Sequence, residues 1–369
     1  MFLRPLARSS WRNQRPIQTY NHFHIRHDKA RMITRAISTR PNRDTNPPFP
    51  TVSTCPSPTC SCASMPPMPE GLPIDHSKPL NGTMAPYAEQ VLICTGKDDW
   101  MSRIEEENSG DNLAADIKEL IGRGGVYSDP YNNVSVTNAS FPSSVLSRPE
   151  VQSTSAYLLP SFKYIPFLPR VSFDAVQALV KGYLLPTTLN PMHDNLSPIH
   201  KDRLLRSEDQ GRLLYGVRDV KDVLVLICGH GGRDMRCGIL GPVLREEFET
   251  QFGSVDVQVL KAPVEIEDEN EKAQPVLGNE DSDIKRSARV GLISHIGGHQ
   301  FAGNMIIYIP PGTKTADGKA NELAGCGIWY GRVEPKHVEG IIRETVLGGK
   351  VIEDLFRGGI RQGGEVLRL

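Results

Sequence analysis

Four residues carry the chemistry that this sequence suggests: Cys228, Cys237, His295 and His299. The cysteines lie nine positions apart, the first of them at the end of an apolar run, and the histidines lie four apart after another such run. Thiolate sulfur and imidazole nitrogen together hold structural zinc and also mixed-ligand iron–sulfur centres. The residue types and spacing therefore predict a Cys2His2 metal centre, for which zinc and a 2Fe–2S cluster are both chemically suitable.

The two histidines flank a pair of glycines, Gly297 and Gly298. Histidines four apart share one face of a helix and bind zinc that way in metalloproteases. Each glycine costs roughly 1 kcal/mol inside a helix, however, and no glutamate follows His295 as the protease motif requires. We therefore predict a tight loop that brings both imidazoles together. The alternative is that His295 and His299 are surface residues without a role.

The two cysteines lie at positions that favour reactive thiolates. Cys228 ends an apolar run typical of a buried strand, and Cys237 precedes a helix predicted over 242–252. Backbone N–H groups and the helix dipole stabilise a thiolate at such a place, and Arg233 and Arg236 add positive charge. Two buried thiols, or a reversible disulfide across the loop, fit the same pattern.

The bulk composition excludes several classes of protein. The chain has 369 residues, of which 38% are hydrophobic and 23% charged, and its formal net charge is −1. The near-neutral balance does not indicate a general nucleic-acid surface. No apolar run approaches the roughly 18–20 residues that a membrane span needs. Seven cysteines are too few for a disulfide scaffold in a chain of this length, and they favour metal ligands or free thiols.

The N-terminal region differs sharply from the rest of the chain. Residues 1–43 contain nine arginines and a single acid. An Arg-rich, acid-poor segment without an apolar core is typical of a mitochondrial transit peptide, which we predict over 1–45. A disordered basic tail is the alternative. Residues 46–83 are rich in Pro, Ser and Thr, and we predict a disordered segment there. The protein is accordingly predicted to act in mitochondria, in the matrix.

Two α/β domains follow, predicted over 84–212 and 213–369. The second contains an acidic insertion over 265–283, where eight acids stand against one lysine. Its order of strand, helix, further strands and a last helix favours a thioredoxin-like arrangement. The four residues 91–94 recur identically at 225–228, which suggests two thioredoxin-like halves, the first of which has lost the metal loop.

Longer motifs carry a family resemblance. They are Cys-Gly-His-Gly-Gly-Arg-Asp-x-Arg-Cys-Gly at 228–238, His-x-Gly-Gly-His-x-x-Ala-Gly-Asn at 295–304, Trp-Tyr-Gly-Arg-Val at 329–333, and upstream stretches over 68–75, 80–83 and 94–100. Together they resemble the sucrase/ferredoxin-like family of fungi over roughly residues 55–357. The resemblance implies a C-terminal thioredoxin-like ferredoxin domain, which by the repeat described above is preceded by a degenerate thioredoxin-like domain. It also implies a 2Fe–2S cluster held by Cys228, Cys237, His295 and His299.

The function that this resemblance implies is one-electron transfer with a redox protein partner, rather than stand-alone enzyme catalysis. Neutral imidazoles in place of two thiolates raise the cluster potential from roughly −400 mV towards the Rieske range. A ligating imidazole can also exchange its outer proton on reduction, so we predict proton-coupled transfer. Arg233, Arg236 and Arg332 are candidates for tuning the cluster or docking the partner, and loop salt bridges are their alternative role.

Two other functions remain open at this point. Cys228 and Cys237 suit a thiol–disulfide oxidoreductase, although their spacing is wider than the usual Cys-x-x-Cys. A zinc-stabilised binding module fits the same four ligands. His230 is an alternative ligand within the cysteine loop.

The other cysteines are weaker candidates. Cys55, Cys60 and Cys62 suit either a second metal or redox site or simple surface thiols. Cys94 and Cys326 are expected to be buried structural residues.

Overall fold

A continuous twelve-stranded sheet forms the body of the protein. The computed structural model describes four stretches of the chain, residues 47–107, 112–145, 152–266 and 286–369. The predicted transit peptide and all but the first two residues of the predicted acidic insertion lie outside the described residues. Within the described stretches, no helix is long and apolar enough to cross a membrane.

Regular elements alternate along the described chain, as the sequence predicts for an α/β protein. The strands are β1 (Thr51–Val52), β2 (Glu89–Cys94), β3 (Val134–Ala139), β4 (Ser153–Leu159), β5 (Lys163–Pro169), β6 (Arg218–Asp219), β7 (Val223–Cys228), β8 (Val257–Val259), β9 (Arg286–Ile293), β10 (Met305–Ile309), β11 (Cys326–Tyr330), β12 (Val351–Ile352), β13 (Phe356–Arg361) and β14 (Val366–Leu367). The helices are α1 (Leu113–Ile121), α2 (Asp174–Leu179), α3 (Pro198–Leu204), α4 (Glu208–Gly211), α5 (Met235–Gly253) and α6 (Val338–Ile341). Both α2 and α6 continue into a π-helical turn, over 180–184 and 342–347.

The sheet contains the same strand arrangement twice. In the first half the order is β3-β2-β4-β5, with β2 parallel to β3 and the other neighbours antiparallel. In the second half the order is β9-β7-β10-β11, again with only the first pair parallel. One helix, α1 or α5, connects each parallel pair, and another, α2 or α6, follows the last strand. The identical segments 91–94 and 225–228 occupy equivalent strands, which supports the predicted internal repeat.

The two halves join edge to edge, so one sheet runs through both. Antiparallel pairing of β3 with β9 joins them, with Ala139 opposite Ile293. Because no break in the sheet separates them, the domain boundaries predicted at 84–212 and 213–369 stay a prediction.

Alternating side chains divide the core between the two faces of the sheet. In β7, Val225 and Ile227 pack in the same cluster as α5 and α6, whereas Leu226 and Cys228 point to the other face. Cys94 of the first half belongs to that second cluster as well, so the cluster on this face of the sheet contains residues from both halves. The predicted burial of Cys94 is confirmed.

Local signals for two helices are confirmed. Asn112 caps α1 by accepting a hydrogen bond from the backbone N–H of Ala115 at 3.1 Å. The last helix begins at Pro335, where the missing N–H costs no hydrogen bond, and Glu334 and His337 cap each other's backbone. The helical turns that begin there run through α6 to residue 347, just before the glycine pair that the sequence marks as the end.

The segment predicted to be disordered over 46–83 lies, from residue 47 onwards, against the folded body. It has little regular structure, in keeping with its proline content. However, β1 pairs in parallel with β12, and Phe49 and Leu80 are buried. These anchors need partners from the end of the chain, which local composition does not reveal.

Glu89, the first residue of β2, is a buried acid whose only hydrogen-bond donors in the described residues are the backbone N–H and hydroxyl of Ser161, at 3.2 and 3.0 Å. Burial raises its pKa to about 7. The folded protein therefore binds more protons than the unfolded chain between pH about 4.3 and 7, and stability falls as the pH rises through that window. We expect Glu89→Gln to stabilise the protein by about 1–3 kcal/mol at pH 8 and by little at pH 4.5, measured by urea unfolding.

Glu246→Gln, at an exposed position of α5, is the matched control and should change stability equally at both pH values. The same stability change for Glu89→Gln at pH 4.5 and pH 8 would contradict the assignment.

Candidate functional site

Both predicted cysteines lie at the junction of β7 and α5. Cys228 is the last residue of β7 and is 2% exposed, and Cys237 is fully buried. The sequence analysis placed Cys237 in a loop before the helix, and this boundary is wrong. Cys237 lies in the first turn of α5, because Asp234 caps the helix by accepting a hydrogen bond from the N–H of Arg236 at 3.0 Å.

Close backbone packing holds the loop between β7 and α5 against that helix. A Cβ atom added to Gly238 would lie 2.6 Å from the Cα of Gly231, and one added to Gly241 would lie 2.7 Å from the Cα of Gly229. Real Cβ atoms do not approach other carbons so closely. The glycines of the motif are therefore needed to bring Cys237 within reach of Cys228.

The histidine loop has the conformation that the sequence predicts. Gly297 and Gly298 have φ angles of +80° and +71°, which favour glycine, and they turn the chain back after β9. The rings of His295 and His299 lie with their centroids 5.4 Å apart. His295 is half-buried and His299 is exposed, so the pair connects the buried thiols to the surface.

His230 is a structural link between three loops. Its Nε2 lies 3.1 Å from the carbonyl oxygen of Trp100 and 2.9 Å from that of Met101, and its Nδ1 accepts the backbone N–H of His295 at 2.9 Å. Carbonyl oxygens only accept, so the proton lies on Nε2. Both ring nitrogens are thus used by the backbone, and neither is free to serve as the alternative ligand considered from the sequence.

The two thiols interact directly and share their protons unequally. A hydrogen bond from Cys237 lowers the pKa of Cys228 against the opposing effect of burial, with help from the His295 side chain and the N–H of His230. The same bond to Cys228, together with burial, raises the pKa of Cys237. Cys228 is therefore the thiol that ionises first, and Cys237 is its hydrogen-bond donor.

One nitrogen of His295 is unusual. Its Nδ1 is among three buried side-chain polar atoms of the described residues that have no hydrogen-bond partner. A buried polar atom without a partner costs roughly 1–3 kcal/mol. Such atoms often lie at functional sites, and this one belongs to the imidazole next to Cys228.

Arg357 of β13 is a site residue that the sequence analysis missed. It is 1% exposed and donates hydrogen bonds to the side chain and carbonyl of Thr83, the carbonyl of Gly297 and the side chain of Asn304, at 2.8–3.2 Å. Its guanidinium also lies 5.9 Å from the ring of Phe301. Every hydrogen-bond partner of Arg357 in the described part of the chain is neutral.

The charge of Arg357 is therefore balanced by the thiols. Burial lowers its pKa to about 10, and Cys228 and Cys237 oppose that shift, because a thiolate nearby favours the cation. The one signal in the sequence is a lone arginine between an apolar residue and two glycines in a strand. That signal does not indicate which residues it contacts.

The three arginines proposed for tuning or docking have structural contacts. Arg236 forms a buried ion pair with Asp234 at 2.9 Å. Arg236 and Arg332 also donate to backbone carbonyls of residues 73–78, at 2.6–2.9 Å. Arg233 is exposed and donates to a serine hydroxyl at 3.3 Å. Loop bridging, the alternative role, describes Arg236 and Arg332, and the tuning role stays a prediction.

The remaining cysteines divide by exposure. Cys326 is fully buried, as expected for a structural residue. Cys55, Cys60 and Cys62 lie in a segment that crosses α5 and α6, where Cys60 is exposed and the other two are half-buried.

The structure brings the four predicted ligands close to one another. Within the described stretches, no group of three or more His, Cys, Asp or Glu side chains is placed to hold a metal ion. The predicted function, one-electron transfer at a 2Fe–2S cluster, is therefore wrong. The ligand and cofactor assignments themselves are not otherwise tested and stay predictions.

The fold and the site define an α/β protein with a repeated strand order, whose second half contains a buried dithiol beside two histidines and an arginine. A model of the sucrase/ferredoxin-like family matches residues 80–358. The chain belongs to this family, and the resemblance read from its motifs is confirmed.

The chain is similar to several proteins that share one name. Altered inheritance of mitochondria protein 32 of Debaryomyces hansenii is 29% identical over 308 residues, covering 81% of this chain and 92% of that protein. The protein of the same name from Meyerozyma guilliermondii is 28% identical over 315 residues, covering 83% and 94%. The one from Clavispora lusitaniae is 38% identical over 138 residues, covering 37% and 34%. No solved structure matches the chain.

Proposed function

We propose that this chain is a thiol–disulfide redox protein in which Cys228 and Cys237 alternate between dithiol and disulfide. The observation that carries the proposal is the position of the two cysteines: Cys228, at the end of β7, and Cys237, in the first turn of α5, are buried in one cluster, where each shifts the pKa of the other. The Cys237 side chain, the His295 side chain and the backbone N–H of His230 lower the pKa of Cys228 and so favour its thiolate, the nucleophilic form of cysteine.

We propose further that each half is a thioredoxin-like unit. The support is the shared order of a parallel strand pair followed by two antiparallel strands, with helices after the first and last strands. The first half keeps the strand cysteine, Cys94, but its sequence has no counterpart of Cys237. This description rests on topology, and the chemistry rests on the residues of the site.

The reaction balances as a two-electron exchange. The Cys228 thiolate attacks one sulfur of a disulfide, whose other sulfur leaves as a thiolate and takes a proton. Cys237 then loses its proton and attacks the Cys228 sulfur, which releases the second thiol and closes the Cys228–Cys237 disulfide. One substrate disulfide becomes two thiols, while the protein loses two electrons and two protons. Because both sulfurs are buried, a small substrate such as glutathione disulfide fits best.

We propose that this chemistry takes place in mitochondria, in the matrix. The relatives are named for the inheritance of mitochondria, and the first 45 residues have the composition of a transit peptide. The substrate in this proposal is a low-molecular-weight disulfide of that compartment.

The test is to equilibrate the full chain anaerobically with mixtures of reduced and oxidised glutathione, block free thiols and map the disulfides by mass spectrometry. We expect a reversible Cys228–Cys237 disulfide with a potential less negative than thioredoxin's, about −270 mV, because the site stabilises the reduced thiolate. Cys228→Ser should abolish this disulfide, whereas Cys94→Ala, at the equivalent strand position, should not.

Two results would overturn this proposal. One is that both thiols stay reduced across the whole range of glutathione mixtures. The other is iron and acid-labile sulfide in the anaerobically purified chain, with visible absorption that Cys228→Ser removes, because ligating thiolates are not available for exchange.

A further inference from the structure

A second pair of thiols lies on the surface, far from the site at β7. Residues 55–63, which we call the cysteine strap, cross α5 and α6. Cys60 and Cys62 belong to this strap and are separated by one residue. The proposed function uses neither of them.

Buried carboxylates hold the strap in place. Glu339 of α6 accepts the backbone N–H of Thr59 at 2.7 Å and its hydroxyl at 2.5 Å, and it pairs with Arg343 at 2.8 Å. Glu247 of α5 accepts the N–H of Ala63 at 2.9 Å. Both carboxylates are at most 6% exposed, so the strap is anchored on either side of Cys60 and Cys62.

The Cys60 thiol is directed towards a proton acceptor, and the Cys62 thiol is directed towards the backbone of Cys60. The Sγ of Cys60 lies 3.2 Å from a carboxylate oxygen of Glu339 and 3.4 Å from the amide oxygen of Gln251. The Cys62 thiol donates to the carbonyl of Cys60 at 3.6 Å and interacts with the Cys60 side chain. Two thiols at this spacing need little movement to form a disulfide bond.

Exposure distinguishes this pair from the buried cysteines, whereas Cys55 is half-buried like Cys62 and is replaced in the test below. Cys60 is exposed and Cys62 is half-buried, whereas Cys94, Cys228 and Cys326 are at most 3% exposed. A peptide disulfide can therefore reach the strap more readily than it can reach the buried thiols. Of the two, the more exposed Cys60 is the one positioned to react first.

We propose that Cys60 and Cys62 form a second, surface site of thiol–disulfide exchange, whose substrates are peptide disulfides such as glutathione disulfide. Cys60 attacks one sulfur of the substrate and one glutathione thiol leaves, with the proton of Cys60. Cys62 then attacks the Cys60 sulfur, and the second glutathione leaves with the proton of Cys62. The strap then contains an internal disulfide and is oxidised by two electrons. The contact of the Cys60 thiol with Glu339 is lost.

The test uses the full chain with Cys55→Ser and Cys94→Ala. Trypsin does not cut between Lys78 and Pro79, so it leaves residues 44–97 as one peptide, in which Cys60 and Cys62 are then the only cysteines. After incubation with oxidised glutathione, we expect the mass of this peptide to fall by that of two hydrogens and its cysteines to resist alkylation. In the same background, Cys62→Ser should instead accumulate one glutathione on Cys60, because the resolving thiol is gone. Adding Cys228→Ser should leave both results unchanged, which separates this site from the proposed function.

Free, alkylatable Cys60 and Cys62 after oxidation would overturn the inference. So would disulfides formed only between chains, or an internal disulfide that still forms in Cys62→Ser. Thr59→Val, which removes one hydroxyl contact to Glu339 next to the pair, is the matched control and should keep the internal disulfide.

Discussion

Arg357→Met should destabilise the protein by about 3–5 kcal/mol and raise the pKa of Cys228. The substitution leaves the carbonyl of Gly297 and the side chain of Asn304, both beside the histidine loop, without their buried donor. It also removes a buried cation that interacts with both thiols. Urea unfolding measures the stability loss, and the pH dependence of iodoacetamide labelling measures the thiol pKa.

Two variants make this test specific. Arg357→Lys keeps the charge but cannot form the same set of hydrogen bonds, so stability should fall while the pKa of Cys228 changes less. Arg361→Met lies on the same strand with a partly exposed side chain, and it should cost only about 0.5 kcal/mol. Equal stability losses for Arg357→Met and Arg361→Met would show that Arg357 does not hold the site.

Gly238→Ala should destabilise the protein by about 2–4 kcal/mol and slow disulfide formation between Cys228 and Cys237. The added Cβ would lie 2.6 Å from the Cα of Gly231, so one backbone segment has to move. Moving the loop or the first turn of α5 separates the two thiols. Thermal unfolding and the rate of disulfide formation in oxidised glutathione are the measurements.

Gly253→Ala is the control within the same helix. A Cβ at Gly253 meets no atom within 4 Å, so alanine should be neutral or stabilise by up to about 1 kcal/mol through its higher helix propensity. If both substitutions are tolerated equally well, close packing of the cysteine loop does not control the contact between the thiols.

Local patterns were sufficient for most regular elements. The apolar run that ends in Cys228 is β7, and the capped and periodic segment from Asn112 is α1. The predicted start of α5 is too late, because the first turn contains an arginine and a glycine rather than a hydrophobic stripe. Asp234 initiates that turn through a cap, a signal of one residue that periodicity does not detect.

The cysteine strap is also not predictable from local sequence patterns. Composition over 46–83 favours disorder, because few apolar residues are present to form a local core. The strap is nevertheless held by Glu247 and Glu339, which come from helices about 190 and 280 positions later in the chain. A contact between residues so distant in sequence has no local pattern from which to predict it.

By itself, the sequence determined the α/β class, the family, and the turn made by Gly297 and Gly298, because each depends on local residue types or long motifs. Only the tertiary structure decided how the four predicted ligands meet. It placed Cys228 and Cys237 in a shared hydrogen bond and brought Arg357 beside them from the last strands of the sheet. Burial and pairing between distant segments determine whether thiols and imidazoles bind a metal or one another, and spacing along the chain does not record them.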